Sequence, residues 1–496
     1  MDWQFTNQIL EALNNGTLVS PPVQLAEFPG LGDLILDFRS ESPLTVDRAE
    51  AQRLLNRELP GSETTVKLGV AELEEIGLSL VPRTAFGVLN GGMATSYADT
   101  KKNRAFGPEL FELWKPSLDA AVRNFGHLPK GITPGFFQKD GTPGPTYLEL
   151  KLRHLALLNL AAREAGHTGP GMKLFQMTSA STDAPLREAW PRLKESPALS
   201  ELLGEYPIDL ADSPTAVQDL VGTFALAPEG LSWRVFEVEK QGQRVPYALP
   251  AGHGQNFRVL RTIYEGLKSQ GYRYVYLGNI DNLGYLPSLR GLAVLELLKR
   301  PAAFDFCFKT PLDVKGGVLY RQPDGRLNCA DIGVALDVKR VQEAETAGTP
   351  ILFNCATGLF DLDYLCANLD RILELLPVRV SDQDKDIGRY SQAEQVTWEV
   401  IGLIDRPLIY GVEKRRRFLA AKLLMDCFLS SGLLDERHAK MEGLQSYLRV
   451  SQVLNGGLDE LLEGPLGFER KNGLWKPIKR EALLTKIRQS WQFLAV

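Results

Sequence analysis

Five residues have side chains of types that bind phosphate groups or metal ions in proteins. They are Lys102, His253, Asp281, Lys315 and Lys422. A lysine carries a mobile point charge that attracts phosphate, and a carboxylate oxygen suits a hard cation such as magnesium. These residue types indicate chemistry on a phosphorylated substrate.

The stretch FGVLNGGMATSYADTKK, residues 86–102, contains two adjacent glycines after an apolar segment. Backbone N–H groups of a glycine turn that precedes a helix can bind an anion, because glycine permits close approach. The spacing is neither GxGxxG nor the Walker pattern, so an ordinary strand-to-helix turn is the alternative interpretation.

Asp281 follows the apolar run YRYVYLGNI, which predicts a strand that ends at a carboxylate. Ligands bind at the carboxyl ends of strands in open α/β sheets, so a magnesium site is expected there. An Asx turn is the alternative for Asp281.

Two further candidates also have alternative interpretations. His253, in AGHGQ, can be a turn histidine without a ligand. Lys422, in EKRRRFLAAKLL, can belong to a solvated basic helix face.

From Phe86 onward, short apolar runs alternate with helical patterns, which favours a mainly parallel sheet covered by helices. The segments AFDFCFKT and GVLYRQPDGRLNCADIGVAL predict antiparallel strands with a hairpin turn at Asp324–Gly325. Residues 1–80 and the chain after Leu423 have mainly helical spacing. The Gly- and Pro-rich residues 103–146 are interpreted as an insertion or flap, and not as a core element.

The composition is that of a globular protein, with 44% hydrophobic and 24% charged residues among 496. The formal net charge of −5 argues against a basic field for nucleic acid. The five cysteines have no CxxC spacing, which predicts reduced thiols in a cytoplasm. No signal peptide and no membrane span is expected.

Several segments together resemble the signature of the UTP–sugar-1-phosphate uridylyltransferases, the UDP-glucose pyrophosphorylase-like family. They occur in the family's order and cover roughly residues 80–430. They are LNGGMATS (89–96), LFQMTSAST (174–182), PAGHGQ (250–255), LGNIDNLG (277–284), DVKGGVL (313–319), LFNCATGLF (352–360) and RRRFLAAKLLMD (415–426).

The resemblance implies an α/β fold: a Rossmann-like nucleotidyltransferase domain with a mainly parallel mixed sheet. That domain is expected over residues 81–425, with helical regions at 1–80 and 426–496. The implied reaction converts UTP and a sugar 1-phosphate, with glucose 1-phosphate favoured, into UDP-sugar and pyrophosphate. The implied cofactor is Mg²⁺, and neither a nucleic acid nor a membrane partner is expected.

The resemblance also implies a role for individual residues. Lys102, Lys422 and Asp281 are assigned to catalysis, with Asp281 also the metal ligand. Lys101 and Lys115 are alternatives to Lys102 as the triphosphate lysine. The implied nucleotide-binding residues are Leu89, Asn90, Gly91, Gly92, Gln176, Met177, Gly252 and Asn279, and the implied sugar-phosphate residues are His253, Lys315 and Asn354.

The chain departs from the family pattern in several places. Ala94 stands where many members have a third glycine, residues 103–146 are additional, and a family asparagine that follows Asn354 is missing. Galactose or N-acetylhexosamine 1-phosphate therefore stays open as the sugar substrate, and so does an inactive nucleotide-sugar-binding regulator. A Rossmann dehydrogenase ranks last, because the GxGxxG fingerprint is missing.

Overall fold

The computed structural model describes the whole chain except residues 19–22, 95–96, 204–212, 228, 231, 311–312, 314, 386 and 442. Thr95 and Ser96 of the glycine-turn motif, and Val314 of the DVKGGVL motif, therefore lie outside the described residues. The description below is confined to the remaining positions.

The strands are numbered in chain order. They are β1 (Ile35–Asp37), β2 (Leu44–Asp47), β3 (Thr65–Leu68), β4 (Thr84–Leu89), β5 (Lys173–Ser179), β6 (Thr215–Gln218), β7 (Leu220–Gly222), β8 (Phe224–Leu226), β9 (Trp233–Val235), β10 (Glu237–Lys240), β11 (Gln243–Pro246), β12 (Ala248–Pro250), β13 (Tyr274–Asn279), β14 (Ala302–Phe308), β15 (Gly317–Arg321), β16 (Leu327–Asp331), β17 (Leu352–Asp361), β18 (Arg379–Lys385), β19 (Gly388–Glu394), β20 (Leu408–Gly411), β21 (Phe468–Lys471) and β22 (Leu474–Pro477).

The helices are numbered in the same way. They are α1 (Trp3–Asn14), α2 (Arg48–Leu55), α3 (Val70–Leu80), α4 (Thr100–Phe106), α5 (Pro108–Phe125), α6 (Tyr147–Glu164), α7 (Asp183–Lys194), α8 (Ser200–Leu203), α9 (Asn256–Val259), α10 (Arg261–Ser269), α11 (Leu289–Leu297), α12 (Val338–Thr346), α13 (Leu362–Leu375), α14 (Lys414–Arg417), α15 (Leu424–Ser430), α16 (Gln445–Glu463) and α17 (Arg480–Gln489).

A mixed, mainly parallel sheet forms the centre of the molecule. Its strand order is β1-β20-β14-β17-β13-β4-β5-β6, and the β15–β16 hairpin joins it through β17. Neighbouring strands are parallel except at β17 and in the hairpin. The carboxyl ends of β4, β5 and β13 consequently meet at one edge. This sheet confirms the predicted α/β class, and the predicted hairpin turn at Asp324–Gly325 joins β15 to β16.

Both faces of the sheet are covered. Along β4, Phe86 and Val88 belong to one buried apolar cluster, and Ala85 and Leu89 belong to another. Since successive side chains of a strand point to opposite faces, the two clusters lie on opposite sides of the sheet. The first cluster extends from Val46 to Leu494. The terminal regions thus share the central core, and the domain boundaries at residues 80 and 425 stay predictions.

Helix α6 is buried over most of its length and ties the C-terminal region to the core. It begins with a capping box, in which Glu149 N–H donates to the Thr146 hydroxyl and Thr146 N–H donates to the Glu149 carboxylate. Within it, Arg153 donates to the carbonyls of Leu466 and Gly467. A buried guanidinium is stabilised only when such acceptors surround it.

Three features differ from the sequence-based interpretation. The N-terminal region is not wholly helical, because β1 is an edge strand of the central sheet that pairs with β20. The C-terminal region contains the β21–β22 hairpin in addition to its helices. The interpretation of residues 103–146 as a flap is wrong, because α5 packs into the core and residues 130–137 are buried. Their glycines and prolines permit close packing of irregular backbone.

No helix in the described part of the chain combines the length and the apolar character that crossing a bilayer requires.

His154 on α6 predicts a loss of stability in acid. Its side chain is fully buried, and burial lowers the pKa of His154 from 6.5 to about 4. Between these values the unfolded chain binds the proton and the folded chain does not, so stability is complete above about pH 6.5 and falls toward pH 4. The expected loss is about 3 kcal/mol in the free energy of unfolding.

Urea unfolding at a series of pH values from 7 to 4 measures this contribution. His154→Phe is expected to flatten the pH dependence, and His127→Phe, at an exposed position, is expected to leave it unchanged. An unaltered slope in His154→Phe would contradict the assignment.

Candidate active site

A cavity of about 360 Å³ lies at the edge where β4, β5 and β13 end. Ligand sites of open α/β sheets occupy this place. Residues that the sequence predicted as functional line much of it: Leu89, Gly91, Gly92, Met177, Gly252, His253, Asn279 and Asp281. The fold therefore brings together segments that are distant in the sequence.

The glycine turn after β4 is held on two sides. Asn90 N–H donates to the Met177 carbonyl at 2.8 Å, which joins the turn to β5. Lys130 N–H donates to the Gly92 carbonyl at 3.0 Å, and Ala94 N–H donates to the Leu128 carbonyl at 3.0 Å. This second pairing places Lys130 beside the glycines.

Lys130 lines the cavity, and sequence reasoning missed it. Its ammonium donates to the Ala421 carbonyl at 2.7 Å and lies 3.4 Å from the centroid of the Tyr97 ring. Burial lowers the pKa of Lys130 to about 8, and the nearby Asp281 carboxylate opposes that shift. The side chain therefore remains mostly protonated at pH 7 and places a positive charge at the glycine turn.

The only local signal for Lys130 is its position between Pro129 and Gly131. A Cβ atom on Gly131 would lie 2.5 Å from Oδ1 of Asn90, so glycine lets the segment pass close to the turn after β4. The contacts that give Lys130 its place connect it to residues up to 291 positions away.

Asp281 stands on a rigid loop. The next residue, Asn282, is fully buried; its amide donates to the carbonyls of Cys355 and Arg417, and its oxygen accepts from the N–H groups of Gly284 and Leu419. The buried Lys151 ammonium donates to the Asn282 carbonyl. The side chain that accepts a backbone N–H two residues on, as in an Asx turn, is that of Asn282 and not that of Asp281. The Asp281 residue lines the cavity.

Lys422 approaches the same loop from the C-terminal side. Ala421 N–H donates to the Asp281 carbonyl at 3.3 Å, and Asn282 forms an isolated bridge with Ala420. The Lys422 side chain is exposed. Its positive charge contributes to the lowered pKa of His253, so the two side chains lie near each other.

His253 is held by Thr397. Its Nδ1 lies 2.7 Å from the Thr397 hydroxyl oxygen and 3.1 Å from the Thr397 backbone nitrogen, and acceptance of that N–H corresponds to the tautomer with its proton on Nε2. Burial, and secondarily the charge of Lys422, lowers the pKa of His253 to about 4. The preceding Gly252 has a φ of 81°, and a Cβ there would lie 2.4 Å from the Gln395 carbonyl oxygen. Glycine is therefore required beside His253.

Besides Lys102 and Lys422, four other predicted residues do not line the cavity. Asn90 and Gln176 are buried next to it and bond to each other, with Asn90 Nδ2 donating to Gln176 Oε1 at 3.2 Å. Asn354 is buried on β17, and its oxygen accepts the Ala356 N–H. Lys315 is exposed in the bend before β15.

The three lysines considered for the triphosphate are exposed and outside the cavity lining. Lys101 and Lys102 lie in the first turn of α4, which Asp99 caps by accepting the Lys102 N–H at 3.0 Å. Lys115 lies on α5 and forms an ion pair with Asp119. Lys130 occupies the position at the glycine turn that was expected for one of them.

The described residues contain no group of three or more His, Cys, Asp or Glu side chains able to hold a metal ion by themselves. Magnesium is commonly bound by one or two carboxylates together with substrate phosphates. Asp281, beside a glycine turn and a lysine, fits that mode of binding.

The family model described as UTP–glucose-1-phosphate uridylyltransferase matches residues 234–449. This segment is similar to that uridylyltransferase family. It contains His253, Asp281, Lys315, Asn354 and Lys422, and the resemblance that the sequence motifs indicated is thereby confirmed. The glycine turn and Lys130 precede the matched segment.

A UTP–glucose-1-phosphate uridylyltransferase from Astragalus penduliflorus is 30% identical over 182 residues, which make up 36% of this chain and 38% of that protein. The chain thus spans well under two thirds of that curated relative. A mutant UDP-glucose pyrophosphorylase from Leishmania major, solved with UDP-glucose, has a TM-score of 0.51 at 18% identity and covers 81% of this chain and 69% of that chain.

A protein described as a UDP-N-acetylglucosamine pyrophosphorylase from Entamoeba histolytica has a TM-score of 0.51 at 16% identity, and covers 71% of this chain and 79% of that chain. At these identities the structural likeness concerns the fold alone. The predicted nucleotidyltransferase fold of the central domain is confirmed.

Proposed function

We propose that this protein is a UTP–glucose-1-phosphate uridylyltransferase, which forms UDP-glucose and pyrophosphate. The observation that carries the proposal is the convergence of the glycine turn, Lys130, His253 and Asp281 on one cavity at the carboxyl ends of parallel strands. The family match of residues 234–449 supports the same reaction.

In the proposed reaction an oxygen of the sugar phosphate attacks the α-phosphorus of UTP. The new P–O bond forms as the bond between the α-phosphorus and the bridging oxygen breaks, and pyrophosphate leaves with that electron pair. The attacking oxygen is already an anion, so the site needs alignment and positive charge and needs no general base.

In the proposal, some residues of the site bind UTP and others bind the sugar 1-phosphate. The uridine lies along Leu89–Gly92 and Met177, supported from behind by Gln176. Lys130 neutralises charge on the triphosphate. The Nε2–H of His253 donates to the sugar phosphate, and Lys422, on the strand-like segment beside Asp281, follows the charge that develops during transfer.

Magnesium is part of the proposal, with Asp281 as its protein ligand. The bound ion supplies charge neutralisation to the triphosphate and to the departing pyrophosphate. Asp281 suits this role because its loop is fixed by the bonds of Asn282 and Lys151, so the carboxylate is held in place before substrate binds.

Pyrophosphate release from purified protein with UTP and magnesium, across a panel of sugar 1-phosphates, tests the proposal. Release with glucose 1-phosphate is expected. Release only with galactose or N-acetylhexosamine 1-phosphate would change the sugar, as the likeness to the Entamoeba histolytica protein makes worth testing. Binding of UDP-sugar without release from any substrate would favour the regulator.

A cytoplasmic location belongs to the proposal as well. It is supported by the five cysteines, all of which are free thiols.

His253→Leu is expected to raise the KM for the sugar 1-phosphate about tenfold or more, because a hydrogen bond to a charged phosphate is lost. His253→Gln, which keeps a donor, should lose less. Since the pKa of His253 is about 4, replacing it should leave the shape of the pH–rate profile between pH 6 and 8 unchanged. Steady-state kinetics at varied sugar phosphate and pH checks both, and a KM for His253→Leu equal to that of the wild type would contradict the contact.

A further inference from the structure

Three polar side chains line the cavity without a role in the proposed transfer. They are Gln218, Gln392 and Glu394. Gln218 closes one side of the cavity, where its Nε2 donates to the Gly252 carbonyl at 2.9 Å. Glu394 is the only one of the three with an ionisable side chain. The groups around its carboxylate therefore determine whether a hydrogen-bond donor or an anion of the ligand binds there.

The strand β19 presents Glu394 to the cavity. Gln392 and Glu394 are two residues apart and share one face of the strand, whereas Ser391 and Ala393 are buried on the other. Gln392 Nε2 donates to Glu394 Oε1 at 3.2 Å and to the Pro250 carbonyl at 3.3 Å. The Glu394 carboxylate is thus oriented by a neutral amide.

No lysine or arginine of the described chain forms an ion pair with Glu394. Burial raises the pKa of Glu394, and the negative charge of Asp331 adds to that effect. The cations Lys422 and Arg379 act instead on Asp331, where they lower a pKa that burial raises. A half-buried carboxylate with unused acceptor positions favours a ligand that donates hydrogen bonds and disfavours an anionic ligand group.

Asp331, whose charge acts on Glu394, lies near the predicted sugar residue Asn354. A Cβ atom on Gly317 would lie 3.2 Å from Oδ1 of Asp331 and 3.5 Å from Cβ of Asn354. Glu394 also lies beside the nucleotide side, since a Cβ on Gly252 would be 3.1 Å from the Glu394 Cβ. Glu394 therefore borders the predicted nucleotide residue Gly252, and Asp331, whose charge acts on Glu394, lies near the predicted sugar residue Asn354.

We infer that Glu394, oriented by Gln392, accepts hydrogen bonds from the vicinal diol of a sugar ring in the bound ligand. The ring is either the ribose of the nucleotide or the transferred hexose, which share this chemistry. The inference rests on the proposed function for the ligand class, a uridine nucleotide sugar. The inference adds a residue that would bind the hydroxyl groups of the ligand and not its phosphates.

Titration calorimetry with UMP, 2′-deoxy-UMP, UDP-glucose and UDP-glucuronate tests the inference on the wild type, Glu394→Ala and Glu394→Gln. Glu239→Gln, an exposed carboxylate on β10, is the matched control. Glu394→Ala is expected to weaken UDP-glucose binding about tenfold or more, the loss that corresponds to hydrogen bonds to a charged acceptor. Glu239→Gln should bind every ligand as the wild type does.

The four ligands distinguish the two sources of the diol. If it belongs to the ribose, UMP and UDP-glucose weaken by the same factor in Glu394→Ala, and 2′-deoxy-UMP, which retains only the 3′-hydroxyl, weakens by a smaller factor. If it belongs to the hexose, UMP binding is unchanged, and Glu394→Gln narrows the preference for UDP-glucose over UDP-glucuronate by about tenfold.

Two results would overturn the inference while leaving the proposed function intact. One is unchanged binding of all four ligands in Glu394→Ala, and the other is equal weakening of all four, which would mark a purely structural effect. Conversely, tight UDP-glucose binding that depends on Glu394, without pyrophosphate release by the wild type, would overturn only the proposed function. A wild type that binds no uridine nucleotide would overturn both.

Discussion

Lys130→Met is expected to lower kcat for pyrophosphate release by about 10²–10³-fold, the cost of removing one preorganised group that stabilises transition-state charge. Lys130 is the one lysine in the lining of the cavity described here, and its ammonium is fixed by the Ala421 carbonyl and the Tyr97 ring. Such a fixed charge needs little reorganisation when the triphosphate is cleaved. Methionine preserves the length and apolar body of the side chain and removes the charge.

Lys102→Met and Lys115→Met are the matched controls, because both lysines are exposed and lie outside the cavity lining. They are expected to retain activity within about threefold of the wild type, which is a difference of under 1 kcal/mol. Thermal unfolding of Lys130→Met establishes that the variant is folded. A near-normal kcat in a folded Lys130→Met, together with a large loss of kcat in Lys102→Met, would show that Lys102, and not Lys130, binds the triphosphate.

Asp281→Asn is expected to abolish magnesium-dependent turnover, with kcat reduced at least about a hundredfold, because the carboxylate that would hold the ion is lost. The fold should survive, since the loop is fixed by Asn282 and Lys151, whose hydrogen bonds do not involve the Asp281 side chain. Initial rates at increasing magnesium concentration measure the effect. A shift of the half-saturating magnesium concentration to higher values would accompany any residual activity.

Asp384→Asn, on the exposed part of β18, is the control for loss of a carboxylate elsewhere and should behave as the wild type does. Unfolding of Asp281→Asn in urea should occur near the wild-type midpoint. Normal magnesium-dependent rates in this variant would refute the metal assignment and leave Asp281 as a structural or nucleotide-contacting residue.

Local patterns predicted the regular elements of the core well. YRYVYLGNI contains β13, and the alternation of short apolar runs with helical patterns after Phe86 corresponds to the strands and helices of the central sheet. Apolar periodicity and capping residues act over a few positions, so one segment of sequence contains the whole signal. The N-terminal strand β1 was missed, because three residues are too few to show a period.

Local patterns also indicated some residues of the candidate site, namely those that directly follow or precede a regular element. His253, Asp281 and the glycine turn stand at the ends of regular elements, where the parallel sheet brings them to one edge. The resemblance implied Lys102 as the triphosphate lysine, but Lys102 lies outside the cavity lining on α4. The paired lysine variants decide between Lys102 and Lys130 for this role.

The sequence by itself determined the α/β class, the order of the strands and helices that carry the motifs, and the residue types on which the proposed phosphate and magnesium sites rest. Only the tertiary structure decided which lysine lies at the glycine turn, since Lys130 is placed by the pairing of residues 128–130 with the turn and by Ala421. It also decided that Glu394 borders the cavity. Both placements depend on contacts between residues far apart in the chain, and no local pattern contains that information.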